Sequence, residues 1–163
     1  MVRVLALVGG MAGAAALSQF PEFSQQYLQR LAGQADALQA VVADFDRSAA
    51  RNLLTRDQAL AQMQGTAFLE DRRADLTATF ARAEAVAADL TLLRAATPLE
   101  RLVMPQRLAD PETFAATWAD YRPAMPVTVD GAITAGIGFV GGWGAVKLLL
   151  ALLLWPFRRR RLA

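Results

Sequence analysis

The chain has no cysteine and no histidine, and only one lysine (Lys147) and three serines (Ser18, Ser24 and Ser48) among its 163 residues. Without cysteine there are no disulfides, thiolate metal sites or thiol nucleophiles. Without histidine the commonest general base, the commonest metal ligand and every Ser-His or Cys-His arrangement are excluded. What remains is too thin a toolkit to predict an enzyme, a resident metal or a cofactor. Charge is scarce as well. Charged residues make up 20% of the chain, against about 25% in an ordinary soluble domain. Hydrophobic residues make up 55% and the mean hydropathy is +0.26, so an excess of apolar surface has to be buried somewhere.

The charge that is present is partitioned. All 15 acids lie between Glu22 and Asp130, accompanied by eleven arginines, a net of −4 for that stretch. The two ends hold six basic residues (Arg3, Lys147, Arg158, Arg159, Arg160 and Arg161) and no acid. A sequence pI near 9.7 suggests nucleic acid when the bases form a folded patch. Here they flank apolar runs, the pattern of a membrane protein, and nucleic acid is not expected as a partner.

Residues 131–155 carry a single charge, Lys147. At about 1.5 Å per residue such a helix crosses a hydrocarbon core of ~30 Å with some tilt. Pro156, Phe157 and the four arginines follow, so this end is expected on the cytoplasmic side, with Trp155 and Phe157 at headgroup level. Trp118, Tyr121 and Pro123 mark the approach to the opposite interface. Residues 4–20 form the second apolar run. Its leading Arg3 and its alanines Ala14, Ala15 and Ala16 also fit a cleavable signal peptide, although a one-residue basic leader is minimal for that. Either way the residues after Phe20 are exported.

Between these runs the periodicity is helical. Tyr27, Leu31, Ala35, Leu38, Val42 and Phe45 recur every three or four residues, which makes one stripe of an amphipathic helix. Thr55 and Gln58 spell a capping box for a second helix, interrupted near its start by Gly65. It carries a stripe of Leu69, Leu76, Phe80, Ala83, Ala87 and Leu90 and ends near Ala95. Thr97-Pro98-Leu99-Glu100 and Asp110-Pro111-Glu112 open two short helices. No alternating run suits a sheet. The expectation is an all-α membrane protein: two transmembrane helices (1–20 and 131–156) around a periplasmic domain (21–130) built as a long helical hairpin with two short helices, then a basic cytoplasmic tail (157–163).

Gly136-Ile137-Gly138-Phe139-Val140-Gly141 matches the dinucleotide fingerprint G-x-G-x-x-G, but that motif needs a preceding strand and an acid about 20 residues on. Here it sits inside an apolar run with arginines downstream. Packing of helices in lipid is the better reading. Gly138 and Gly142 are four apart, extended by Thr134 and by Ala132 with Gly136, and Gly141 with Ala145 forms another small pair; Gly9 and Gly13 are likewise four apart, with Ala6, Gly10 and Ala14 alongside. Small residues at this spacing let two backbones approach closely, within one chain or between chains. Lys147 reads as a snorkelling anchor or, together with Arg158, Arg159, Arg160 and Arg161, as a contact to lipid headgroups or a partner. Asp44 with Asp46, and Asp71 with Asp75, read as solvated helix faces.

Over Leu5-Ala6-Leu7-Val8-Gly9-Gly10 and Leu17-Ser18-Gln19-Phe20-Pro21-Glu22-Phe23-Ser24-Gln25-Gln26-Tyr27, the chain resembles a proteobacterial family of small membrane proteins, domain of unknown function 2937. The resemblance implies a bacterial inner-membrane protein and brings no activity or catalytic residue with it. The expected function is a non-catalytic scaffold or accessory protein in contact with membrane lipids, acting as a homo-oligomer or within a larger membrane complex. An oligomeric small pore and a sensor-like periplasmic module are the alternatives.

Overall fold

The computed structural model describes residues 2–123 and 128–159, with side chains as far as residue 153. Within these residues every regular element is a helix: α1 (Val2–Ser18), α2 (Phe20–Arg51), α3 (Arg56–Ala61), α4 (Ala67–Ala95), α5 (Pro98–Leu102), a 3-10 turn (Pro105–Arg107), α6 (Pro111–Asp120) and α7 (Val129–Arg159). Proline stands in the first turn of α2, α5 and α6, where its missing N–H would have had no intrahelical partner. The chain divides into two compact units, one of Met1–Gln25, Pro98–Val103 and Asp120–Ala163, the other of Gln26–Thr97 and Met104–Ala119.

In the second unit the α2 stripe faces inward. Tyr27, Leu31, Leu38 and Val42 are buried, while Ala35 and Phe45 are half-buried. The facing line on α4 is Phe80, Ala83, Val86, Leu90 and Leu93. The expected stripe placed Ala87 inside, but Ala87 is exposed and Val86 takes its place. Spacings of three, three, four and three keep the larger side chains in one seam. Phe45 meets Phe80 edge-on at 5.2 Å, while Tyr27 lies near Asp89 farther along α4. The pairings thus run in opposite senses along the two helices.

The turn between α2 and α4 differs from the expected single helix with a flaw. The amide of Leu54 donates to the Ala49 carbonyl and that of Leu53 to the Ala50 carbonyl, 3.0 Å each, which is the Schellman ending of a helix. Leu53 occupies the left-handed position of that motif at φ 59°, where glycine is usual and an L-residue costs roughly 1–2 kcal/mol. The Thr55–Gln58 capping box is present, and it opens only the six-residue α3. Gly65 then adopts φ 95°, a conformation no helix can continue, and Thr66 caps α4 by accepting from the Leu69 amide at 3.3 Å. Gly65 therefore separates two helices instead of denting one.

In the first unit α1 and α7 pack against each other, with α5 also against α7. Among the described residues two helices are long and apolar enough to cross a membrane: the one beginning at Val2, near the N-terminus, and Val129–Leu153. Away from their mutual contact they present bare apolar side chains, among them Val4, Val8, Met11, Val140, Leu148 and Leu152, each more than half exposed.

Candidate functional site

The closest approach in the first unit is backbone to backbone. A Cβ added at Gly13 would collide with the carbonyl oxygen of Gly138, and one at Gly138 with the carbonyl oxygen of Gly13. One turn along, a Cβ at Gly142 would strike the Gly9 carbonyl oxygen, and one at Gly9 would strike Cγ2 of Val146. Gly9 therefore faces Gly142 and Val146, and Gly13 faces Gly138, so the two helices run antiparallel. All four predicted glycines lie in this one contact. Two side chains outside the sequence expectation complete it: Val146 covers Gly9, and the Phe139 ring lies against Gly10, 2.8 Å from where its Cβ would be. The signal for Val146 was in the sequence, since Thr134, Gly138, Gly142 and Val146 follow one another every four residues along a single helix face. Thr134 is fully buried there, and its hydroxyl is satisfied within its own helix by the carbonyls of Asp130 at 2.9 Å and Gly131 at 3.0 Å. Ala6, also fully buried, extends the α1 side.

Not every small residue is used in this way. A Cβ at Gly136, Gly141 or Gly144 would meet nothing within 4 Å. Those glycines lie off the contact face. The apparent G-x-G-x-x-G is continuous helix, with only its middle glycine, Gly138, in the crossing.

Lys147 is exposed, and its ammonium stands 3.7 Å above the ring of Trp143, one turn earlier on α7. A cation over an aromatic face is favourable, most of all where water is scarce. Arg158 and Arg159 extend the last turn of α7, with side chains outside the described residues. Arg160 and Arg161 lie outside the described residues altogether.

The second unit holds a polar node that ties three separate stretches of chain. Asp110 caps α6, its carboxylate accepting from the Thr113 amide at 3.0 Å and the Thr113 hydroxyl at 2.7 Å. The Arg82 guanidinium of α4 donates to both Asp110 oxygens at 3.1 and 3.0 Å and also reaches Glu112 at 2.7 Å. The fully buried Tyr27 of α2 accepts from the Asp110 amide through its hydroxyl at 3.2 Å. Burial is the largest influence on the Asp110 carboxyl and pushes its pKa up. The hydrogen bonds from Arg82 and Thr113, with the Arg82 charge, outweigh it and hold the pKa below the ordinary 3.8. Burial, reinforced by the Asp110 and Asp89 carboxylates, raises the Tyr27 hydroxyl. Arg107 adds a further tie to Asp89 at 2.8 Å.

Three of the four acids singled out in the sequence, Asp44, Asp46 and Asp75, face bases. Asp44 pairs with Arg47, and Asp46 with the fork of Arg56 at 2.8 and 2.6 Å, which holds the Asp46 carboxyl below its usual value. Asp75 sits 3.7 Å from Arg72. Among the described residues no three metal-ligating side chains come together. A groove of about 460 Å³ between the end of α2 and α3 is lined by residues such as Phe45, Ala49, Leu54 and Met63, and none of its lining side chains titrates.

The family described as Protein of unknown function (DUF2937) matches residues 1–159. The chain belongs to this family. The DUF2937 match takes in both apolar helices and everything between them, so the glycine crossing and the polar node both lie within the family region. No curated protein and no solved structure matches the chain.

Proposed function

We propose that this DUF2937 protein is a non-catalytic scaffold of the bacterial inner membrane. In this reading α1 and α7 are its two spans. The glycine faces zip them together within one chain, and the residues between them stand as a helical hairpin in the periplasm, where they self-associate or brace a larger membrane complex. The observation that carries the reading is the backbone contact of Gly9 and Gly13 with Gly142 and Gly138. Glycine-lined antiparallel crossings of this kind are how apolar helices associate in lipid, where the hydrophobic effect no longer drives them together. Orientation follows from charge: Arg3, Arg158, Arg159, Arg160 and Arg161 place both termini on the cytoplasmic side, and the net-acidic middle goes to the other. Lys147 and the arginines are then the contacts to lipid headgroups or to a partner.

Gentle detergent extraction from native membranes followed by native mass spectrometry tests this directly. The expected result is a discrete multiple of 17.6 kDa or stoichiometric co-purification with other membrane proteins. Recovery as a lone monomer that turns over a small molecule would contradict it.

A further inference from the structure

Lys147 is the one charged residue of the apolar run 131–155, and that run has its midpoint at residue 143. The Lys147 ammonium stands 3.7 Å above the Trp143 ring. The side chain therefore lies back along α7 toward the N-terminal end, the direction in which helical side chains lean. That is away from Arg158 and its neighbours, whereas a snorkelling anchor would reach toward them. With α7 as a span, the charge is held near mid-depth, about 15 Å from either headgroup boundary. Lipid phosphates lie at those boundaries, out of its reach.

The Trp143 ring offsets part of the cost of a cation at this depth. Beyond that, charges inside a membrane are held by an opposite charge or by water in a cavity. Neither apolar run supplies the counter-charge, since residues 4–20 and 131–155 contain no Asp or Glu. Among the described residues no carboxylate meets the Lys147 ammonium. At about 100° per residue, Lys147, Trp143, Val140 and Gly136 share one side of α7, opposite the Gly138–Gly142 face that meets α1. Val140 is 67% exposed, and a Cβ at Gly136 or Gly144 would meet nothing within 4 Å. A neighbouring helix can approach the backbone closely on this side.

We infer that this side of α7 docks a membrane-spanning helix of another protein that carries an aspartate or glutamate near mid-depth, its carboxylate pairing with Lys147. A second copy of this chain does not fit, because it brings lysine to lysine and no acid within either span. The inference rests on the reading of α1 and α7 as spans. Of the two roles that reading leaves to Lys147, it assigns contact with a partner.

The full-length chain carrying Trp118→Phe and Trp155→Phe keeps Trp143 as its sole tryptophan, and in phosphatidylethanolamine–phosphatidylglycerol vesicles it tests this pairing. The probe is a leucine-rich transmembrane peptide with one glutamate at its midpoint and an energy acceptor at one end, compared with the same peptide carrying glutamine. Energy transfer from Trp143 is expected to show the glutamate peptide associating about tenfold more tightly than the glutamine peptide. Lys147→Met should abolish that difference, and Lys147→Arg should keep it. Equal association of the two peptides, or a preference that survives Lys147→Met, overturns the inference. Lipids brominated deep in the acyl chains report on the spans in the same vesicles. Suppose Trp143 is quenched by bromine while a water-soluble amine reagent labels Lys147, the only lysine of the chain. The lysine then lines a water-filled path, which overturns the docking and leaves the spans standing. Absence of quenching at Trp143 defeats the span reading itself, and the inference with it.

Discussion

Gly138→Leu is expected to separate α1 from α7. A Cβ at position 138 meets the carbonyl oxygen and carbon of Gly13 and comes within 2.8 Å of the Leu17 Cβ. Two of these neighbours are backbone and the third is attached to it, so no rotamer change relieves the clash and a helix must move as a body. Overpacking costs typically 1–3 kcal/mol. A clash on backbone belongs at the top of that range, and about 3 kcal/mol lowers the packed-to-open ratio roughly a hundredfold. Gly136→Leu and Gly141→Leu make the same change on the same helix where nothing lies within 4 Å, and they should leave the packing intact. Thermal unfolding of the full chain in detergent reads the difference: a large fall in midpoint for Gly138→Leu, and at most a small change for the other two. Equal destabilisation by all three would mean that leucine disturbs α7 generally and that the crossing is not special.

The second large effect is expected at Asp110. Asp110→Ala removes the cap of α6, worth about 1 kcal/mol. It also leaves Arg82, whose side chain is 26% exposed, with Glu112 alone. Breaking a fully buried pair costs about 3–5 kcal/mol, and partial exposure reduces that, so a total of roughly 2–3 kcal/mol is expected. Asp110→Asn keeps a good capping residue and loses only the charge, so it should cost less. The pH dependence has a defined sign. The folded pKa of Asp110 lies below the ordinary 3.8, so its contribution is fully present above the unfolded pKa and is lost as pH falls through the folded one. Asp46, held down by Arg56, acts in the same direction. Stability measured by chemical denaturation should therefore decline as pH drops below about 4, with a shallower decline in Asp110→Asn. An identical acid limb in the variant would remove Asp110 from the account.

Signals confined to a few neighbouring residues were legible in the sequence. The prolines at 98 and 111 do stand in the first turns of helices, and the Thr55–Gln58 box does cap one. The α2 stripe could be read from spacing alone because its apolar residues are large and its other faces are rich in glutamine. On α4 alanine occurs on every face, so periodicity could not choose between Val86 and Ala87, and packing against α2 decided it. Gly65 was visible as a weak point, but its left-handed conformation depends on Thr66 capping afresh and on the chain having to reverse. The Arg82–Asp110 pair spans 28 residues and the Tyr27–Asp110 contact spans 83. No local pattern encodes such separations, and Tyr27 read simply as one more apolar position. The glycine spacing announced close approach without naming the partner. The facing backbone, one helix of the same chain against the other, is information only the folded molecule carries.

That facing is also what the account stands on, and the absence of cysteine allows it to be tested with a single engineered pair. The Cβ position of Gly9 lies 3.2 Å from the Val146 Cβ, close to the separation of about 3.5–4.5 Å in a disulfide. Val146→Cys also removes the methyl group that a side chain at position 9 would strike. Gly9→Cys combined with Val146→Cys should close on mild oxidation in membranes to a disulfide within one chain, with a monomer of altered mobility on a non-reducing gel. Gly9→Cys with Gly141→Cys, which places the second thiol off the contact face, should stay reduced. A disulfide-linked dimer from the first pair, or no disulfide at all, would contradict the packing of α1 on α7 and with it the scaffold built on them.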